Sequence, residues 1–211
     1  MTDTNNLQQT WINTRDRLAV KGLLSGKNAG LSVRCPDTPK IWLGSATDTQ
    51  PQLVDLNNPT SAIAKDHSAI YTRRGDIGAI AFGGGAFGSL LPHFGGTLPQ
   101  LFDEQARHIG RMAGAILLDA QLDKALRGGG NALLWRQIPM CFGMTCTRLA
   151  LNAELFEKCA KAYVLAAATG GRITRLPWWV RRIANGRLDK DEQRAQEAFT
   201  RGELPVETKG Y

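Results

Sequence analysis

The chain has 211 residues, of which 43% are hydrophobic and 21% charged, a composition that suits one large globular domain. No apolar run approaches the roughly 20 residues of a membrane-spanning helix, and the first residues do not resemble a signal peptide, so we expect a cytoplasmic protein with no membrane partner. The formal net charge of +7 is concentrated in residues 170–187 rather than along one helix, and nucleic acid is therefore not expected as a partner.

Four cysteines are spread along the chain at spacings that match neither a redox pair nor a zinc knuckle. They are Cys35, Cys141, Cys146 and Cys159. We expect these thiols to be reduced and mostly buried, so that neither a disulfide nor a structural metal is needed to hold the domain together.

The first half of the chain alternates helical and strand patterns. Leu7, Trp11 and Leu18 recur at helical spacing before Ser25-Gly26, where we expect the helix to end. A second amphipathic helix places His67 on its core-facing side, where a structural histidine is expected. The remaining predicted elements are strands at 31–35 and 40–44, a polar loop at 47–59, the second helix at 61–74 and a buried strand at 76–82.

The second half predicts helices separated by glycine turns. Asn152 is a suitable cap for the strongest helix, which would end at Gly170-Gly171. The other predicted elements are interrupted helical segments within 98–126, a strand at 131–143, a basic segment at 172–187 and a charged helix at 189–204. We therefore divide the chain into an α/β domain, residues 1–171, and a C-terminal extension, residues 172–211, that packs on a neighbouring surface or on another subunit.

Three glycines after the buried strand, Gly83, Gly85 and Gly88, have the G-x-G-x-x-G spacing of a dinucleotide-binding loop. Backbone N–H groups at the start of a helix favour anions, which supports this interpretation. Against it, Pro92 and the glycines that follow end the next helix within about two turns, and no Walker lysine follows Gly88. Nucleotide binding is therefore the weakest of three functional hypotheses.

Five segments, in the same order as in the family, resemble the class II aldolase/adducin domain family over roughly residues 10–171. The segments are GKNAGLSVR, HSAIYTRRGDIGAIAF, LPQLFDEQARHIG, NALLWRQIPMCFG and AELFEKCAKAYVLAAATGG. The resemblance implies a three-layer α/β/α fold with a mostly antiparallel central sheet. It also implies a homo-oligomer, such as a tetramer, and a divalent metal site in the catalytic members.

The resemblance places the metal and acid/base positions of the family on residues that cannot perform those roles. The two histidines of the His-x-His pair would fall on Phe82 and Gly84, the third histidine near Ile138, and the acid/base glutamate on Ala62 or Ile63. Zinc needs at least three nitrogen, sulfur or carboxylate ligands, and these side chains supply none. We therefore expect no metal cofactor and no metal-dependent lyase activity.

The phosphate-binding features of the family are partly kept. Thr60 and Ser61 stand where the resemblance implies a phosphate-binding Ser-Ser pair, and Ser32 keeps the hairpin serine, whereas Gly30 replaces the hairpin asparagine. We expect at most a weakened site for a small anionic ligand, formed by Ser32, Thr60, Ser61, Gly83, Gly84 and Gly85.

Glu104 and His108 are four residues apart, which places both side chains on one face of a helix. Such a pair is suitable as a general base with its orienting group, or as two metal ligands that lack a third. The competing and favoured interpretation is a solvated or inter-subunit ion pair. These two residues remain the weak catalytic candidates.

Residues 177–182, Pro-Trp-Trp-Val-Arg-Arg, combine two tryptophans with two arginines. A partner or membrane-surface patch is one interpretation, because large aromatic side chains are unfavourable when exposed. The favoured interpretation is that Trp178 and Trp179 pack under the C-terminal helix or across an oligomer interface, beside Arg181 and Arg182.

The sequence thus leaves two principal hypotheses. The first is a degenerate class II aldolase/adducin-like protein, a pseudoenzyme that acts as a binding or interaction module. The alternative is a metal-independent enzyme, similar to a lyase or isomerase, that acts on a small phosphorylated or anionic sugar-like substrate. In that case Glu104 and His108 would be the acid/base groups, and Thr60 and Ser61 would hold the anionic group.

Overall fold

The computed structural model describes residues 4–207, with side chains described from residue 6 onward, so residues 208–211 of the predicted extension lie outside the described range. The helices are α1 (Thr4–Val20), α2 (Ala62–Arg73), α3 (Asp103–His108), α4 (Leu122–Leu126), α5 (Cys146–Ala168) and α6 (Trp178–Thr200). The strands are β1 (Ser25–Arg34), β2 (Lys40–Ser45), β3 (Gln52–Asp55), β4 (Ala79–Gly84), β5 (Ala132–Trp135) and β6 (Ile138–Gly143). Short 3-10 helices cover Gly88–Phe94 and Asp119–Gln121.

The six strands form one sheet in the order β3-β2-β1-β4-β6-β5, and each pair of neighbours is antiparallel. Successive side chains of a strand face opposite sides, so Ala79 and Ala81 of β4 pack with α1 and α5 whereas Ile80 and Phe82 pack with α2 and α4. The predicted three-layer α/β/α architecture with an antiparallel sheet is confirmed. Within residues 4–207, no helix has the length and apolar character to cross a membrane.

The first helix is confirmed, and its apolar positions are buried. Leu7, Trp11 and Leu18 are in the core, and the Trp11 indole N–H donates to the Leu31 carbonyl at 2.8 Å, which joins α1 to β1. The predicted stop at Ser25-Gly26 is wrong, because the helix ends at Val20 and Ser25 is already the first residue of β1.

The single strand predicted at 131–143 is wrong, since it is a hairpin of β5 and β6. Arg136 and Gln137 form its two-residue turn with φ of 49° and 70°. Left-handed turn positions are usually occupied by glycine or asparagine, so the sequence carries no signal for this turn. The loop predicted at 47–59 likewise contains a short strand, β3, which pairs with β2 at the sheet edge.

Two other helix predictions are corrected. The strongest helix begins at Cys146 rather than at Asn152, and the Thr145 side chain caps it by accepting from the Arg148 amide at 3.1 Å. Asn152 is instead buried within α5 and donates to the Phe142 carbonyl at 2.7 Å. Helical segments within 98–126 are also shorter than predicted, because α3 has 6 residues and α4 has 5. The four cysteines are free and buried, as predicted.

The predicted basic segment and charged helix are largely one continuous helix, α6, which packs against α3. Arg107 of α3 pairs with Asp191 at 2.5 Å. Arg74, after α2, pairs with Asp76 at 2.6 Å and with Glu192 at 3.1 Å. Because Asp76 already balances the Arg74 charge, burial dominates at the second carboxyl and raises the pKa of Glu192 to about 7.

The raised pKa of Glu192 makes the attachment of α6 depend on pH. The stability due to this group is fully present below the unfolded pKa of about 4.5 and is lost as the pH rises through about 7. We expect Glu192→Gln to reduce this decline, which is at most about 1.4 kcal/mol per pH unit. Urea unfolding of both proteins between about pH 5 and about pH 8 measures it. Glu197→Gln, at an exposed position of the same helix, is the control and should keep the wild-type slope.

Candidate functional site

The three positions that the resemblance assigned to metal ligands lie together at one end of the sheet. Phe82 pairs with Met140 in the β4–β6 register, which places Gly84 beside Ile138 and Pro139, and Gly84 also pairs with Ser25 of β1. We call this region the glycine end; it comprises Phe82–Gly85, Ser25–Gly30 and Ile138-Pro139. The N-terminal half of α2 covers it, since the His67 ring lies 6.4 Å from the Phe82 ring.

The backbone at the glycine end is packed so closely that side chains are excluded. A Cβ added at Gly84 would lie 2.7 Å from Pro139 Cγ, well inside van der Waals contact. Gly83 has φ of +111°, and a Cβ there would lie 2.8 Å from the Ser25 carbonyl oxygen. A histidine at Gly84 would therefore require β6 to move.

The residues present do not fit a divalent metal ion. Phe82 is buried in apolar surroundings, and neither it nor Gly84 nor Ile138 has a side-chain donor atom. Among residues 4–207, no three histidine, cysteine, aspartate or glutamate side chains are grouped so that they would hold an ion. A metal ion at this position would have no ligand from these three residues.

The loop after β4 binds an anion, but the anion belongs to this chain. Glu157 of α5 accepts from the Phe87 amide through Oε1 at 2.7 Å and from the Gly88 amide through Oε2 at 2.9 Å. A Cβ added at Gly85 would lie 2.6 Å from Glu157 Oε1, so a glycine is needed for this approach. Two of the backbone amides that a nucleotide phosphate would use, those of Phe87 and Gly88, are therefore already hydrogen-bonded.

Ser32 lies in the core rather than at a surface that a ligand reaches. Its hydroxyl bonds to His67 Nδ1 at 2.7 Å and to the Tyr71 hydroxyl at 2.9 Å. Burial lowers the pKa of His67 to about 3 and raises the pKa of Tyr71, so both are neutral at physiological pH. His67 Nε2 has no hydrogen-bond partner among the described residues. The position predicted for a structural histidine is thus buried, with one of its two ring nitrogens bonded.

Thr60 and Ser61 are exposed at the N-terminus of α2. The Ser61 hydroxyl accepts from the Ala64 amide at 3.1 Å and thereby caps the helix. Of the six residues predicted to bind an anion, these two are the exposed ones, and Gly83, Gly84 and Gly85 are buried with Ser32. Gly30 has no room for the asparagine it replaces, since a Cβ there would lie 2.6 Å from the Gly44 carbonyl oxygen.

Glu104 and His108 lie on α3, away from the glycine end. Glu104 pairs with Lys158 at 3.4 Å, whereas buried His108 accepts at Nδ1 from Arg148 at 2.8 Å. Burial, followed by the charge of Arg148, lowers the pKa of His108 to about 4. The backbone of His108 bonds to Asn131, which meets β6 about 13 Å along the strand from Ile138. The structure does not bring this pair together with Thr60 and Ser61.

The sequence reasoning missed Glu157 and Pro139, which close the glycine end. Glu157 lies about 70 residues after the amides it binds, and nothing in its local pattern distinguishes it from an exposed helical glutamate. Pro139 stands inside a run that was predicted as one strand, where a proline argues for an irregular position. That proline was the one available signal.

We expect Glu157→Ala to lower the free energy of unfolding by roughly 1–3 kcal/mol, because two partly buried amides lose their acceptor. Sulfate should then stabilise the variant more than it stabilises the wild type, since the freed amides can bind an added anion. Chemical unfolding with and without sulfate measures both effects. Glu154→Ala, one turn earlier in α5, removes only partly exposed pairs with Arg17 and Lys21 and should show neither effect. Equal behaviour of the two variants would contradict this prediction.

The fold is shared with solved aldolase structures. The chain aligns with an L-fuculose 1-phosphate aldolase at a TM-score of 0.73 and 20% identity, covering 88% of this chain and 97% of that chain. L-fuculose 1-phosphate aldolase from Glaciozyma antarctica PI12 gives a TM-score of 0.69 at 18% identity, with 95% and 92% covered. An aldolase II superfamily protein from Pseudomonas syringae gives 0.67 at 15% identity, with 97% and 96% covered.

No protein-family profile matches the sequence, and no curated protein matches it. At these identities the structural similarity shows the fold, and any activity has to be argued from the residues of this chain. The chain therefore has the fold of L-fuculose 1-phosphate aldolase and the aldolase II superfamily, which confirms the architecture that the sequence resemblance predicted.

Proposed function

We propose that this protein is a degenerate aldolase-fold protein, without metal-dependent lyase activity, that acts as a binding or interaction module. The observation that carries the proposal is the contact between Gly84 and Pro139, which leaves no room for a ligand side chain at a position assigned to the metal. Phe82 beside it contributes a buried ring instead of a donor atom. Without a Lewis acid, an enediolate intermediate has no stabilising group here.

The proposal includes a homo-oligomer, such as a tetramer, and a small anionic ligand held weakly near the start of α2. Thr60 and Ser61 are exposed there, and the first amides of α2 favour an anion. The ligand would be bound without turnover, because the candidate catalytic pair, Glu104 and His108, lies on α3 and not beside Thr60 and Ser61. Glu104 is engaged with Lys158, and His108 faces Arg148 inside the domain.

The test is the metal content of the purified protein. After dialysis against a mild chelator, we expect well below one zinc per chain and no cleavage of L-fuculose 1-phosphate when zinc is added back. The control is L-fuculose 1-phosphate aldolase, the enzyme of the fold neighbour, treated in parallel. Stoichiometric retained zinc, or cleavage that depends on added metal, would overturn the proposal.

The closed packing at Gly84 has its own test. We expect Gly84→Ala to reduce the free energy of unfolding by roughly 1–3 kcal/mol, because the added methyl overlaps Pro139. Gly114→Ala is the matched control, since a Cβ there has nothing within 4 Å and its φ is not positive. Urea unfolding of the three proteins gives the comparison. If Gly84→Ala were as stable as Gly114→Ala, the glycine end would be open enough for a ligand side chain.

A further inference from the structure

The outward face of the first three turns of α6 combines exposed aromatic and cationic side chains. Three large apolar side chains are more than half exposed here: Trp178 at 69%, Trp179 at 55% and Ile183 at 54%. Two exposed arginines, Arg182 and Arg187, lie on the same part of the helix. We call these five residues the tryptophan–arginine face. Their helical spacing puts them on one side of α6, opposite the buried side. Of the two placements predicted for these tryptophans, packing under the C-terminal helix is wrong, because they are its first two residues. Packing across an oligomer interface stays a prediction.

The tryptophan–arginine face is held rigidly outward. On the buried side of the same turns, Asn185 bonds to Gln100 at 2.8 Å and Leu188 is 3% exposed. The segment before the helix is also attached, since the Leu176 amide donates to the Gln100 carbonyl at 3.0 Å. The tryptophans therefore cannot turn inward without detaching α6 from the domain.

The charge around this face is positive and unbalanced. Residues 171–188 contain five arginines and no acidic residue, and none of the five forms an ion pair within residues 4–207. The first turn of α6 has neither an acidic residue nor a side-chain cap, so its amides add partial positive charge. Cations at a helix N-terminus are unfavourable for the isolated helix. An anionic partner would relieve this conflict.

The chemistry of the face narrows the class of partner. An isologous contact with a second copy would bring two sets of unpaired arginines together, which is unfavourable. Single-stranded nucleic acid binds in grooves that follow its backbone, whereas this surface is the convex side of a helix. A bilayer with anionic headgroups can bind both the aromatic and the cationic side chains of this face. Tryptophan rings lie at the headgroup level, and arginines pair with the phosphates.

We propose that the tryptophan–arginine face binds the surface of a membrane that contains anionic phospholipid. The expectation of no membrane partner rested on the lack of a spanning segment, and a helix that lies on the surface needs none. Trp178, Trp179 and Ile183 enter the interface while Arg182 and Arg187 contact phosphates. Arg172 and Arg175 extend the cationic area along the preceding segment. The inference concerns a surface separate from the glycine end and does not depend on the function proposed for that end.

Vesicle co-sedimentation of the full chain tests the proposal. We expect binding to vesicles of phosphatidylcholine with phosphatidylserine, at least about tenfold weaker binding to phosphatidylcholine alone, and loss of binding as salt increases. Tryptophan fluorescence should shift to the blue on binding, because the rings of Trp178 and Trp179 move from water into the less polar interface of the bilayer. The other three tryptophans are buried or half-buried, so their emission should change little.

Two double variants separate the components. Arg182→Gln with Arg187→Gln should weaken binding about thirtyfold, and Trp178→Ala with Trp179→Ala at least about tenfold. The matched controls remove equal features elsewhere: Lys124→Gln with Arg127→Gln for charge, and Leu117→Ala with Leu118→Ala for exposed apolar area. Circular dichroism melting confirms that each variant is folded, which is expected because all these side chains are exposed.

Three outcomes would overturn the proposal. The first is equal affinity for neutral and anionic vesicles, or no binding to either. The second is vesicle binding that the control variants reduce as much as the variants of the face. The third is loss of an oligomer, or of binding to a single-stranded oligonucleotide, in the tryptophan variant while vesicle binding stays unchanged, which would assign the face to a second copy or to nucleic acid.

Discussion

The contact between three strand ends is the constraint on which the rest of this molecule depends. β4 lies between β1 and β6, and at Gly83 and Gly84 its backbone is close to Ser25 on one side and to Pro139 on the other. Protein interiors are packed as densely as organic crystals, so such a contact excludes any side chain at these two positions. The same packing that completes the sheet therefore leaves no room for a side chain at Gly84, one of the positions that the sequence resemblance assigned to a metal ligand.

A second consequence follows along the chain. Because β4 ends in glycines, the loop after it approaches α5 closely enough for Glu157 to bind two of its backbone amides. The loop binds an anion, as its glycine spacing suggested, but the anion is the carboxylate of Glu157 in the same chain. A nucleotide phosphate would have to displace a carboxylate whose two oxygens are both hydrogen-bonded. The glycine spacing thus describes a structural device that attaches the loop to α5.

The sequence predicted those parts of the fold whose signal is local. Trp11 and its apolar neighbours define α1 because burial repeats at helical spacing. The three-layer architecture was implied by the resemblance to the class II aldolase/adducin family. The hairpin at Arg136-Gln137 was missed because its turn lacks the usual residues, and the start of α5 was misplaced because Asn152 has the chemistry of a cap but is buried by tertiary packing. At the site, the sequence placed Phe82 correctly on a strand, whereas Gly84 was expected in the loop after that strand and lies at the end of β4. Glu157 and Pro139, which close the glycine end, are distant in sequence from Gly84 and Gly85, so the local pattern did not predict these contacts.

α6 shows how charge is divided between holding the fold and facing solvent. Its second half places the buried Asp191 against Arg107 of α3, and this ion pair joins the helix to the domain. Its first half carries arginines without partners near the positive end of the helix dipole, an arrangement that disfavours the helix locally. Conflicts between local preference and the folded structure are expected at sites shaped by function rather than by stability. The second half holds the helix on the domain while the first half faces solvent, so a surface that is unfavourable for the helix itself is well suited to an external anionic partner.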